Sequence, residues 1–194
     1  MKAIYFLGMA GALALAGCGG TADENRTPEA DATTDMTAAE ATPELPIEAV
    51  TPGTPKEFVN TVAASDMFEI ESAKVAQTKA TAQEVKDFAA TMVKDHTAST
   101  NSLKDAAGKA EPAVTAAAAL TADQQQQLDA LKAATAATFD ATYKQQQIAA
   151  HEKALAMLRG YANSTGPQSL KDFATKTATV VEGHLASARA LPAS

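Results

Sequence analysis

The sequence predicts an all-α protein whose folded part is an antiparallel four-helix bundle. The chain has 194 residues, of which 46% are hydrophobic and only 5% aromatic, and it contains no Trp. Alanine-rich, aromatic-poor sequence of this kind favours closely packed helices over sheets. Beyond residue 54, apolar residues recur at helical spacing in four long segments separated by short connections. Long amphipathic helices joined in this way are typical of an antiparallel bundle.

The first predicted helix begins at Pro55 and runs to about Lys79. Thr54 at the N-cap, Pro55 at the first position and Glu57 at the third form a capping box. Glu69 lies on the apolar face of this helix, where an acidic side chain is unexpected.

The second predicted helix starts with a capping box at Thr81 and Glu84 and runs to about Ala107, where Gly108 ends it. His96 lies in the middle of its apolar face, because residues three, four and seven apart project on the same side of a helix. A titratable ring at such a position is either a packed, hydrogen-bonded core residue or a ligand.

The third predicted helix starts with a capping box at Thr121 and Gln124 and continues to about Ala162. β-branched residues cluster at 135–138, so a break in the helix at that point stays open. His151 lies at the edge of the apolar face of this helix.

The last predicted helix begins at Pro167, after a turn, and runs to about Ala190. His184 lies near the centre of its inner face. Its segment from Leu170 to Ala174 is similar to the segment from Val85 to Ala89, which suggests two related helical hairpins.

The first 17 residues are predicted to be a lipoprotein signal peptide. Lys2 precedes an apolar run, Ala3 to Ala16, that is too short to span a bilayer. The sequence Leu15-Ala16-Gly17-Cys18 resembles the lipobox of bacterial lipoproteins, in which the cysteine is lipidated and becomes the mature N-terminus. Cys18 is the only cysteine, so no disulfide can form within the chain. Gly19 follows it where Asp would be expected in a lipoprotein kept at the inner membrane, so we expect an anchor on the periplasmic face of the outer membrane.

Residues 18–54 are predicted to be the lipidated cysteine and a disordered tether, and residues 55–194 the folded domain. The stretch from 19 to 54 holds eight acidic residues, one basic residue and four prolines. Such sequence buries too little apolar surface to offset the entropy of ordering. The folded part, with fifteen acidic and fourteen basic residues, is nearly neutral. It offers no basic face for phosphates, so nucleic acid is not an expected partner.

The folded part, from about residue 55 to 191, resembles the bacterial domain-of-unknown-function family 4142. The residues that carry the likeness are Phe58 to Ala73 with Glu69, Phe88-Ala89 with Met92-Val93 and Asp95-His96, Phe139-Asp140 with Tyr143 and His151, and Leu170-Lys171 with Phe173-Ala174 and His184. The resemblance implies a ferritin-like fold, export from the cytoplasm and no established activity. The family often has Gly before its Phe-Asp-x-x-Tyr segment, where Ala136 and Ala137 stand here, so the likeness does not decide whether the helix breaks.

The histidines do not fit a di-iron centre of the ferritin type. That centre takes a Glu from each of two helices and a Glu-x-x-His motif from each of the other two. In this sequence Val93 and Val181 stand three residues before His96 and His184. The bridging carboxylates are therefore missing.

A single transition-metal ion is a second interpretation of the same residues. His96 and His184 with the carboxylate of Glu69 suit zinc, iron or copper, and His151 is a weaker candidate ligand. The alternative is a buried polar cluster in which these residues satisfy one another by hydrogen bonds. We expect Asp66, Asp95 and Asp140 to be solvated or to bond tyrosine and histidine. The methionines at 67, 92 and 157 lack Met-x-x-Met spacing and are interpreted as packing residues.

No motif predicts a catalytic residue or a bound organic cofactor. The sequence has no glycine-rich phosphate loop, nucleophile elbow or Cys-x-x-Cys pair. The main hypothesis is a non-enzymatic envelope protein that binds an unidentified protein partner or stabilises the cell surface, and that contacts the membrane through its acyl chains. The alternative is a metal-binding or metal-sensing periplasmic bundle that uses His96, His184 and Glu69. A redox or hydrolytic enzyme has no positive support.

Overall fold

The computed structural model describes residues 53–192, and within them it contains helices and no strand. The predicted signal peptide, Cys18 and most of the predicted tether lie outside the described residues. The five helices are α1 (Pro55–Lys79), α2 (Gln83–Gly108), α3 (Ala122–Ala133), α4 (Ala136–Ala162) and α5 (Gln168–Ala190). In this part of the chain, none of them has the length and apolar character needed to cross a membrane.

The third predicted helix is divided into α3 and α4, so residues 53–192 form five helices where four were predicted. Ala134 and Thr135 have extended backbones, with ψ of 140° and 164°. The hydroxyl of Thr138 accepts a hydrogen bond from the Thr135 amide at 3.2 Å, which starts α4. The break therefore forms with Ala136 and Ala137, and no glycine, at the start of α4.

Two of the three predicted capping boxes are confirmed. The Thr54 hydroxyl accepts from the Glu57 amide at 3.2 Å, and the Glu57 carboxylate accepts from the Thr54 amide at 2.9 Å. Thr121 and Gln124 make the same pair of bonds at the start of α3.

The capping box predicted at Thr81 is wrong, because another helix caps α2. The N-cap residue is Ala82, whose side chain makes no capping bond. The carboxylate of Asp140, in α4, accepts from the amides of Thr81 and Ala82 at 3.1 and 2.8 Å and also from the Thr81 hydroxyl. Asp140, which we expected to be solvated or to bond a ring, thus joins the start of α2 to α4.

The apolar core consists of two clusters at opposite ends of the bundle. At one end Phe58 stacks on Tyr161 with ring centroids 3.7 Å apart, next to Leu103 and Phe173. This end gathers the beginnings of α1 and α5 and the ends of α2 and α4. The opposite helix ends meet in the second cluster, which includes Val85, Met92, Phe139, Tyr143 and Ala188.

A layer of buried polar side chains separates the two apolar clusters. It contains Asp66, Glu69, Ser72, His96, Gln147, His151 and His184. Since burying a polar group without a partner is costly, the arrangement of this layer is the main clue to function.

Candidate metal centre

Three histidine rings from three helices meet in the polar layer. His96 comes from α2, His151 from α4 and His184 from α5, and their ring centroids are 5.5 to 5.8 Å apart. One nitrogen from each ring can be taken so that the three nitrogens all lie within 4.8 Å of one another. Three imidazoles bound to one zinc or copper ion would have their nitrogens about 3.5 Å apart, given bonds of about 2.0–2.1 Å. Small ring rotations would therefore close the three nitrogens around an ion.

Each ring uses one nitrogen for a hydrogen bond to a neighbouring residue. His96 Nδ1 bonds Asp66 Oδ1 at 2.8 Å, and His184 Nε2 bonds Asp95 Oδ2 at 3.1 Å. His151 Nδ1 donates to the Gln147 carbonyl, one turn earlier in α4, at 2.8 Å. These bonds hold the rings in position and select the tautomer that leaves the opposite nitrogen free to accept.

The other nitrogen of each ring is buried without a partner among the described residues. These atoms are Nε2 of His96, Nε2 of His151 and Nδ1 of His184. Histidines that bind metals in proteins typically give their second N–H to a carboxylate or a backbone carbonyl, as all three rings do here. The cluster thus has both the donor atoms of a metal site and the outer partners that orient them.

The protonation of the cluster follows from burial and from the neighbouring charges. The pKa of His151 is lowered to about 3, chiefly by burial and then by the charge on His96. Burial also lowers the pKa of His184, although the bond to Asp95 opposes the shift. For His96, burial is outweighed by the hydrogen bond to Asp66 and by the charges of Glu69, Asp66 and Asp95, which raise its pKa. His151 and His184 are thus neutral at neutral pH, as metal binding requires.

Glu69 lies beside the three rings, but its carboxylate does not belong to the set of atoms that lie within 4.8 Å of one another. Its Oε1 is 3.9 Å from His151 Nδ1, and its Oε2 is buried without a partner among the described residues. Burial raises the pKa of Glu69 to about 7. The nearby Tyr143 hydroxyl and Gln147 side-chain oxygen are also buried and unpartnered in this part of the chain.

The structure brings together all four residues that the sequence singled out, but in different roles. His151, the weaker candidate in the sequence, is a full member of the cluster, whereas Glu69 is its neighbour. Asp66 and Asp95 each bond a particular histidine, and the sequence had not predicted which one. A signal was present for each, because Asp66 precedes Glu69 by three residues on one face of α1 and Asp95 directly precedes His96.

The fold and this site define a helical bundle with a buried three-histidine cluster in its core. The sequence model of a domain of unknown function, DUF4142, matches residues 37–191. The chain belongs to this family, as the resemblance predicted.

One solved structure has a similar fold, a chain described as "CopM in the Cu(I)-bound form". Its TM-score is 0.58 and its sequence is 20% identical, and the match covers 70% of this chain and 93% of that chain. At this identity the likeness concerns the fold alone. No curated protein matches the sequence.

Proposed function

We propose that this protein is an exported, lipid-anchored helical bundle that binds one transition-metal ion through His96, His151 and His184. The observation that carries the proposal is the convergence of three buried, unpartnered ring nitrogens within 4.8 Å. Leaving a buried polar atom unpaired typically costs about 1–3 kcal/mol. Three such atoms in one place are better explained by a ligand that they share than by packing.

The donor set indicates which ions to test. Imidazole nitrogens suit copper and zinc, and three of them leave room for a further ligand. Cu(I) is the first ion to test, because a protein of similar fold is described with Cu(I) bound. Zn²⁺ is the second. Glu69 remains the candidate for a fourth ligand, since its Oε1 is 3.9 Å from His151 Nδ1 and its Oε2 is buried without a partner among the described residues.

Metal analysis of the full chain tests the proposal. All proteins would carry Cys18→Ser, so that the single thiol does not compete for Cu(I). The parent chain, in detergent, would be treated with chelator, incubated anaerobically with Cu(I) or aerobically with Zn²⁺, and desalted. We expect about one ion per chain in the parent and in the control Asp129→Asn, which removes an exposed carboxylate that is not part of the cluster. His96→Ala, His151→Ala and His184→Ala should retain little or none.

The competing hypothesis is that the histidines only pack and hydrogen-bond in a structural core. It predicts that the parent retains neither ion, and that each alanine variant loses stability whether or not metal is added. Equal retention by the parent and the three variants would likewise exclude the cluster as the site. Circular dichroism of every variant shows whether lost binding reflects a lost fold.

The proposal includes an anchor on the periplasmic face of the outer membrane, which rests on the sequence around Cys18. Lipid attached to this residue would hold the bundle at the membrane through the acidic tether. In bacterial cells, Cys18→Ser should move the protein from the membrane to the soluble fraction. A variant that stays in the membrane fraction would contradict the anchor and would leave the metal site untouched.

The proposed arrangement of the bundle is ferritin-like. The helix ends that meet in each apolar cluster support it, because they make α2 and α4 run in the same direction. Residues 109–135, including α3, would then cross the length of the bundle. One long crossover of this kind is characteristic of ferritin-like folds.

A further inference from the structure

We propose that the metal ion enters and leaves the cluster through the face between α2 and α5, with the carboxylate of Asp95 as the group that first receives it. This inference rests on the proposed metal site and concerns its route of exchange. It assigns Asp95 a second role besides orienting His184.

The exposure of the polar layer is uneven, and it points to this face. The side chain of Asp95 is 31% exposed, and those of its partner His184 and of His96 are 10% and 8% exposed. On the opposite side, the side chains of His151 and Glu69 are only 1% and 2% exposed. Within residues 53–192, the cluster therefore comes nearest to solvent where α2 and α5 adjoin.

A groove on the surface leads to the same place. It has a volume of about 590 Å³ and runs between α2 and α5, from Lys109 and Ser169 at one end to Asp95 and Val180 at the other. Val180 lies one helical turn before His184 and is 48% exposed. Small side chains, Ala98 and Ser99, line the groove next to Asp95 and leave the approach open.

Asp95 has the chemistry of a transfer ligand. One oxygen bonds His184 Nε2 at 3.1 Å, and the partly exposed carboxylate can attract and bind a cation from solution. The ion would then be one imidazole ring away from the three unpartnered nitrogens. Asp66 makes the corresponding bond to His96, but its side chain is only 4% exposed, so it can orient a ring without meeting an incoming ion.

Rates of metal transfer test this route. Transfer of Cu(I) between the chain and a coloured Cu(I) chelator would be followed by stopped-flow absorbance in both directions, giving entry and release rates and their ratio. All chains would carry Cys18→Ser. Asp95→Asn keeps an oxygen that can accept from His184 and removes the charge, and Val180→Trp places a large side chain at the mouth of the groove. The matched controls are Asp66→Asn, at the buried carboxylate, and Asp129→Asn, at an exposed carboxylate on α3 outside the groove.

A group on the route lowers the barrier in both directions, so its loss slows entry and release together. For Val180→Trp we expect both rates to fall by about tenfold, with a much smaller change in their ratio. For Asp95→Asn we expect entry to fall by about tenfold and release to fall less, because losing the charged partner of His184 also weakens the bound state. For Asp66→Asn we expect faster release and unchanged entry, because only the bound state is weakened. Asp129→Asn should match the parent. Raising the salt concentration should slow entry into the parent more than entry into Asp95→Asn, because salt screens the attraction between the Asp95 carboxylate and the incoming cation.

Three results would overturn the route. One is parental rates in both Asp95→Asn and Val180→Trp, and another is faster release with unchanged entry in Asp95→Asn, which would make it equivalent to Asp66→Asn. In either case the metal site itself would stand. The third is a parent chain that binds no metal, which would remove the site and the route together. Circular dichroism confirms that each variant is folded, and Val180→Trp, at an exposed position, is the variant least able to disturb the core.

Discussion

At the scale of single residues, burial changes the protonation of the polar layer in opposite directions for acids and bases. The pKa of Glu69 is raised to about 7 and that of His151 is lowered to about 3, in both cases chiefly by burial. Both shifts disfavour the charged form of a group that has little access to water. The two side chains, 3.9 Å apart, can therefore both be neutral slightly below neutral pH. An ion bound by the rings would favour the ionised form of Glu69.

The raised pKa of Glu69 predicts how the stability of the metal-free protein depends on pH. Between pH 4.5, which is the ordinary pKa of a Glu side chain, and about pH 7, Glu69 keeps its proton in the folded chain and has released it in the unfolded chain. Stability from this group is thus fully present below pH 4.5 and is lost as pH rises to 7. Glu69→Gln should remove the loss, so the variant should be more stable than the parent at pH 8, by on the order of 3 kcal/mol, and nearly equal to it at pH 4.5.

Urea unfolding of both proteins at pH 4.5, 6 and 8, with chelator present, measures this difference. The comparison between parent and variant cancels the other titrating groups. A difference in the free energy of unfolding that does not change with pH would contradict the raised pKa of Glu69.

At the scale of helices, α1 and α3 begin with hydrogen bonds between residues close in sequence, whereas the starts of α2 and α5 depend on side chains of α4. The capping boxes at Thr54 and Thr121 involve residues three apart in sequence. The start of α2 instead depends on Asp140, about sixty residues later. The turn before α5 depends on Tyr161, whose buried ring packs against Phe58 and fills the space next to Gly166.

Two glycines should respond to alanine in opposite ways. A Cβ at Gly166 would lie 2.6 Å from the hydroxyl oxygen of Tyr161, and this ring cannot move freely because it is stacked on Phe58. Gly166→Ala should therefore destabilise the fold by about 1–3 kcal/mol. A Cβ at Gly183, inside α5, would meet nothing within 4 Å. Gly183→Ala should stabilise the fold by about 0.5–1 kcal/mol, because alanine is the better helix former.

Chemical denaturation of the parent and the two variants measures both effects in one experiment. The Gly183 variant is the control for adding a methyl group to this part of the chain. If Gly166→Ala were as stable as the parent, the close contact with Tyr161 would not exist in solution.

At the scale of the whole molecule, the histidine cluster connects three helices that the apolar clusters join only at their ends. His96, His151 and His184 belong to α2, α4 and α5, and Asp66 extends the connection to α1. A metal ion bound there would join three helices at mid-height. A metal ion that binds the folded chain and not the unfolded chain stabilises the fold. The added stability grows with the logarithm of the ratio of metal concentration to Kd.

Metal should therefore raise the unfolding temperature of the parent chain and leave that of His151→Ala unchanged. At a free metal concentration of about 100 times Kd the added stability is about 2.7 kcal/mol. For a domain of this size it corresponds to a rise of roughly 5–15 °C. Differential scanning calorimetry with buffered Cu(I) or Zn²⁺ measures the shift. An equal rise in His151→Ala would indicate that the ion binds elsewhere.

Features that repeat along the chain, or that depend on near neighbours, could be predicted from the sequence. Helical spacing of apolar residues predicted the all-α class, and caps with partners three residues away predicted where α1 and α3 begin. The same spacing placed His96, His184 and Glu69 on buried faces, because the direction of a side chain on a helix follows from its position. The family was evident for the same reason, since its motifs lie within single helices.

Which of these buried groups meet depends on how the helices pack against one another, and the sequence did not predict it. His151 and His184 lie on the consecutive helices α4 and α5. Their approach to His96 depends on how α2 packs against these two helices, and no local sequence pattern records that packing. The same holds for the Asp140 cap, for the pairing of Asp66 and Asp95 with particular rings, and for the position of Glu69 beside the cluster. Periodicity reports which way a side chain points from its own helix, whereas a site of this kind is defined by distances between helices.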